Sequence, residues 1–108
     1  MLIFVSIYEV FCVETHKGTN KTEIVLKHHK KGELIIVVKP LLEMEKKLPN
    51  HIFFRVSLAS IVNVKATRTV HRNMQYTLTL TNGYRIQIPR AGYKLLISFI
   101  EKTYETTI

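Results

Sequence analysis

The stretch "KPLLEMEKKLPNHIFFRVSLASIVNV", residues 39–64, changes its hydrophobic period once, and that change decides the fold. In its first part Leu41, Met44 and Leu48 recur at i, i+3 and i+7, the apolar stripe of a short amphipathic helix. Pro40 suits the first turn of that helix, where its missing N–H costs nothing, and Pro49-Asn50 stops it. From Phe53 the pattern becomes that of strands: "FFRV", then "SIVNV", then a less regular stretch to Val70. A two-turn helix packed on a sheet is therefore predicted, with strands on both sides of it in the chain.

Toward the N-terminus, "VFCVETHKGTNKTEIVLKHHKKGELIIVVK" (residues 10–39) alternates apolar segments with polar clusters. "THKGTNK" contains Gly18 and Asn20 and reads as a loop; "HHKKGE" contains Gly32 and reads as a hairpin connection. Strands are predicted near 7–14, 22–28 and 33–38. The continuous run "LIIVV" predicts a strand buried on both sides. The opening segment "MLIFVSIYEVFCVE" is broken by Ser6, Tyr8 and Glu9. It is too short to span a membrane and reads as a strand pair or one long bent strand.

Toward the C-terminus, "RN" at 72–73 reads as a turn. "MQYTLTL" places Tyr76, Leu78 and Leu80 on one face. Asn82-Gly83 is a strong hairpin signal, because both residues tolerate the positive φ of a type I′ turn; it predicts a two-residue tip joining strands 76–81 and 84–88. Ile86 and Ile88 point inward, and Pro89 ends the strand. "RAGYKLLISFIEKTYE" then carries Leu96, Phe99 and Ile100 at helical spacing, with Lys94 opposite. Residues 1–108 thus read as a single domain, mostly antiparallel β, with a short central helix and a C-terminal helix.

The net charge is +8 and unevenly placed. Residues 1–50 hold eight Lys and six Glu; residues 51–108 hold eight Lys or Arg and two Glu, and all five Arg lie there. Segment 53–72 carries four of these cations and no acid. The Arg side chain is a planar fork that matches phosphates and the guanine edge, so this segregation points to a polyanion rather than to solubility alone. The chain has no Asp, which argues against enzymes built on paired aspartates. The single Cys12 cannot form an internal disulfide, suits a reducing cytoplasm, and lies in an apolar run as a buried small hydrophobe. Among the five His, His28 and His29 are adjacent and point to opposite faces of a strand, and no zinc-type spacing occurs, so neither metal nor other cofactor is expected. Asn63, between apolar neighbours, is expected to satisfy backbone groups.

The order "KPLLEMEKKLP", "FFRVSLASIVNV", an "NG" hairpin, "YRIQIPR" and a terminal helix resembles the LytTR DNA-binding domain of bacterial transcription regulators, over about residues 3–104. The resemblance implies an antiparallel β fold that inserts loops into successive major grooves of double-stranded DNA, as paired copies on direct-repeat sites. It also implies the output domain of a two-component response regulator, here with no receiver domain in the chain. Residue by residue, it places Lys17, Asn20 and Lys21 in a first contact loop. Arg55 and Ser57 fall in a second contact region, and Arg90 and Lys94 in a third, at the strand-to-helix turn. Leu58 and Ala59 stand where relatives carry polar groups, and Leu58 cannot donate to a base edge. The alternative is therefore a protein-interaction module of the same fold that has lost base reading.

Overall fold

A computed structural model of the chain describes residues 6–28, 35–72 and 76–104. The strands are β1 (Val10–Thr15), β2 (Thr22–Leu26), β3 (Ile35–Val37), β4 (Phe53–Arg55), β5 (Ser60–Asn63), β6 (Thr67–Arg72), β7 (Tyr76–Leu80) and β8 (Arg85–Ile88); the helices are α1 (Leu41–Lys47) and α2 (Arg90–Tyr104). A five-stranded sheet has the order β3-β2-β1-β5-β4, a three-stranded sheet the order β6-β7-β8, and every pairing is antiparallel. The predicted class, mostly antiparallel β with one short central and one C-terminal helix, is the observed one.

The larger sheet is covered on both faces, which is why its central strands are apolar without alternation. On one face Val10, Val13, Phe53 and Ile61 pack with Leu41, Met44 and Leu48 of the α1 region, the helical stripe expected from the sequence. On the other, Phe11, Cys12 and Val62 pack with Leu78, Leu80, Ile86 and Ile88 of the smaller sheet and Leu96 of α2. A bulge at Phe11 lets β1 serve both layers, since the register passes from Val10↔Leu26 to Cys12↔Val25. A second bulge explains the irregular stretch before Val70. The register passes from Thr67↔Leu80 to Thr69↔Thr79, so Arg68 is the extra residue and Val70 comes to face the core opposite Leu78. Asn63 acts as expected: its Nδ2 donates to the Val10 carbonyl (3.1 Å) and its Oδ1 accepts from Lys65 N (3.0 Å).

Four expectations change. Residues 7–9 form a 3₁₀ turn rather than strand, because Ser6 Oγ accepts from Tyr8 N and caps the turn. Pro40 lies one residue before α1, its carbonyl accepting from Glu43 N and Met44 N (3.1 and 3.2 Å). β3 is the sheet edge and is not buried on both sides; Ile36 and Val38 are exposed, because an apolar run marks β propensity as well as burial. Finally, Asn82-Gly83 does close a hairpin, but as part of a three-residue loop. Leu80 N donates to Tyr84 O and Gly83 N to Leu80 O (both 2.9 Å), with Gly83 at φ +88°. Asn82 is engaged elsewhere: its Nδ2 donates to Leu26 O (2.8 Å), pinning the small sheet's hairpin to the end of β2, and its Oδ1 accepts from Tyr84 N. The expected turns at residues 28–33 and 72–73 fall partly outside the described residues.

Candidate nucleic-acid interface

The three segments singled out in the sequence adjoin one another. The β1–β2 loop is closed at its base by His16 N donating to Lys21 O (2.9 Å). Within it Thr19 N and Thr19 Oγ1 both donate to His16 O, Lys21 N donates to Thr19 Oγ1, and Gly18 takes φ +79°, a conformation glycine adopts at little cost. Lys17, Asn20 and Lys21 are exposed on this braced loop.

The β4–β5 loop, residues 56–59, is joined to it by Thr15 N donating to Ala59 O (2.8 Å). Arg55 holds this loop from within. Its Nε donates to Ser57 O (3.2 Å), its Nη2 to Leu58 O (2.9 Å) and its Nη1 to Glu45 of α1 (3.2 Å). All three guanidinium nitrogens therefore have internal acceptors, and Arg55 acts here as a strut for the loop. Ser57 braces the loop locally, its Oγ accepting from Ala59 N (3.2 Å). The residue at the tip is Leu58, 89% exposed.

The start of α2 rests on the root of the same loop. Gly92 lies so close to Val56 that a Cβ added there would meet the Val56 carbonyl oxygen at 1.9 Å. Arg90 and Lys94 are both exposed and four residues apart, hence on one face of the helix. A cation in the first turn opposes the helix dipole, so Arg90 has no helix-stabilising reason to be there. Asn20, Lys21, Arg55, Leu42 and Leu58 surround one depression of about 210 Å³; Lys17, Ser57, Arg90 and Lys94 lie outside its lining.

Behind the loops sits a cluster of acids. Glu14 and Glu23 face each other across β1 and β2. Glu14 accepts from Ser60 Oγ (3.1 Å) and from the Tyr84 hydroxyl, and Glu23 pairs with His16 Nδ1. Burial, with the bond to Glu14 adding to it, pushes the Tyr84 phenol well above its ordinary range. Burial does the same to the Cys12 thiol, which is fully enclosed and inert.

Leu58, noted in the sequence as unable to donate to a base edge, is the most exposed large apolar side chain among the described residues and stands at the loop tip. Sequence reasoning missed Gly92. Gly92 was read only as helix; its signal was an isolated Gly inside a helical pattern, which marks close packing.

One braced basic loop, a second braced loop without cations of its own and a basic helix start, joined on an antiparallel β framework, make up a candidate polyanion-binding face. The family model of the LytTr DNA-binding domain matches residues 1–101, and the chain belongs to that family. Among solved structures, the LytTr DNA-binding domain of a methyl-accepting/DNA response regulator from Bacillus cereus shares the fold. The TM-score is 0.72 at 20% identity, over 89% of this chain and 84% of that one. The sensory transduction protein LytR of Staphylococcus epidermidis is 38% identical over 52 residues, which are 46% of this chain and 21% of that protein. The matched region is thus about a fifth of that relative's length. Among the described residues no helix is long and apolar enough to cross a membrane.

Proposed function

We propose that this chain reads specific double-stranded DNA sequences as the output domain of a bacterial transcription regulator in the cytoplasm. The β1–β2 loop, the β4–β5 loop and the start of α2 enter successive stretches of the major groove, and two copies act side by side on direct repeats. The observation that carries the reading is the contiguity of these three segments, each braced by its own hydrogen bonds or packing, with exposed Lys17, Lys21, Arg90 and Lys94 on them. Arg90 projects from a rigid helix start and forks onto a guanine edge. Lys21, a point charge on a loop, holds phosphate. Arg55 positions the second loop instead of touching the DNA.

The test begins with selection of bound duplexes from a random pool, followed by binding of Arg90→Ala and Lys21→Ala to the selected and to random duplex at several salt concentrations. Arg90→Ala is expected to cost about 1–3 kcal/mol on the selected site only and to relax one base position. Lys21→Ala is expected to weaken both duplexes alike and to lower the log–log salt slope by about one. A pool that yields no preferred sequence would overturn the reading.

One observation favours a second reading, a protein-interaction module. The edge strand β3 presents Ile36 to solvent and Val38 is exposed just after it, the kind of edge that pairs with another chain. Self-association or partner capture lost in Val38→Lys, with no sequence preference on DNA, is the outcome that reading requires.

A further inference from the structure

We infer that Leu58 is a base reader that recognises thymine through its 5-methyl group. The inference rests on the DNA-reading function proposed above and adds a specificity-determining residue to it. Single exposed leucines are common on protein surfaces and need no explanation by themselves. Leu58 differs in how it is held. Arg55 Nη2 bonds its carbonyl and Arg55 Nε the carbonyl before it, while Ala59 N donates to Ser57 Oγ on the other side. Ala59 O is tied to Thr15 N, and Val56 N to Ser60 O (3.1 Å). A partly buried Arg55–Glu45 pair and five further bonds thus immobilise a loop whose tip side chain contributes almost nothing to the core. A rigid support for an aliphatic group in water has no folding rationale, whereas it suits binding, because the ordering cost is met before the partner arrives.

The surroundings indicate which partner. Leu58 borders the same depression as Asn20 and Lys21, with Leu42 on the α1 side. A cation for phosphate, an amide for a base edge and an aliphatic surface stand together there. In the major groove the only apolar group that a base pair offers is the thymine methyl, and apolar side chains recognise it by contact. A leucine that cannot donate or accept is suited to this group and to no other on the base edges.

The experiment replaces thymine by uracil, one position at a time, in a duplex selected from a random pool, and measures binding of the wild-type chain and of Leu58→Ala. At one position, uracil is expected to weaken wild-type binding about four-fold, the equivalent of burying one methyl group at about 0.8 kcal/mol. Leu58→Ala should bind that thymine duplex more weakly and no longer distinguish it from the uracil one, with random-duplex binding unchanged. If a preferred duplex is found but no uracil substitution is felt, or if Leu58→Ala still distinguishes the two, the inference about Leu58 is overturned while the DNA-reading function stands. If no preferred duplex is found, the function itself fails. If Leu58→Ala leaves DNA binding intact and instead abolishes self-association, Leu58 is an interface residue and the inference is likewise wrong.

Discussion

Gly92→Ala sets two effects of opposite sign against each other. In an exposed helix, replacing glycine by alanine stabilises by about 1 kcal/mol, because alanine loses less backbone entropy. At position 92 the added Cβ would stand 1.9 Å from the Val56 carbonyl oxygen and 3.0 Å from its carbon, both main-chain atoms. No rotamer change relieves such a contact. To restore an ordinary separation of 3.4 Å the start of α2 must withdraw from the β4–β5 loop by about 1.5 Å. Overpacking of this kind costs about 1–3 kcal/mol, and a main-chain obstacle places the cost toward the upper end. The expected net effect is a destabilisation of about 1–2 kcal/mol, measured as a lower urea midpoint.

The same displacement bears on function. Binding groups need to be held within about 0.5 Å of their productive positions, so a shift of the helix start carries Arg90 and Lys94 out of register with the loops. Affinity for a selected duplex should fall about tenfold or more under conditions where the variant is folded. Ala91→Gly, at an exposed neighbouring position, is the control: it should lose about 1 kcal/mol of stability through helix propensity and leave affinity unchanged. A Gly92→Ala protein more stable than wild type, with wild-type affinity, would refute the close seating of α2 on Val56.

Arg55→Lys keeps the charge but cannot supply three nitrogens to Ser57 O, Leu58 O and Glu45; it should lose specific affinity more than random-duplex affinity, and equal retention of both would show that only charge matters at this position. Neutralisation of about four to six phosphates should give a log–log salt slope of about −4 to −5, and binding that is flat between low and moderate salt would contradict the electrostatic reading. The pKa values of Tyr84 and Cys12 are raised by folding, so the native state keeps protons that the unfolded chain releases. The associated stability is complete below the ordinary values of 10.0 and 9.0 and is lost progressively as pH rises above them toward the raised native values. Tyr84→Phe should cost about 1 kcal/mol near neutrality through its lost bond to Glu14, and should decline less steeply above pH 10 in urea titrations; an unchanged slope would remove Tyr84 from the account.

Elements whose apolar residues face one layer were legible in the sequence. The α1 stripe, the β7–β8 faces and the inward side of α2 each show a single period, 3.6 or 2, and each was placed correctly. The central strands obey no simple period, because β1 and β5 are covered on both faces and β1 and β6 contain bulges. A bulge shifts the inward face by one residue, so the run around Arg68 cannot be phased without its partner strand. The edge position of β3 was hidden for a related reason: Ile and Val favour strands wherever they lie in a sheet. In the candidate site, the loops were recognisable from Gly18 and from the family order of motifs. The roles within them were not. Whether an arginine faces outward or, like Arg55, braces its own loop depends on where Glu45 and two carbonyls fall in space.

The exposed cations of the proposed DNA face acquire a structural meaning when the acids are placed. Three glutamates lie close behind the proposed DNA face, and each is engaged by a donor. Glu14 takes Ser60 and Tyr84, Glu23 takes His16, and Glu45 takes Arg55. These contacts do double duty. They fix the bases of the two loops, since His16 also closes the β1–β2 loop through its main chain and Arg55 holds the β4–β5 loop through its other nitrogens. They also leave the outward cations without acidic partners: among the described residues, Lys17, Lys21, Arg90 and Lys94 form no ion pair. A polyanion meeting this surface need not break existing salt bridges. It meets a positive field whose supporting loops are already ordered, so its binding energy is not diverted into ordering them.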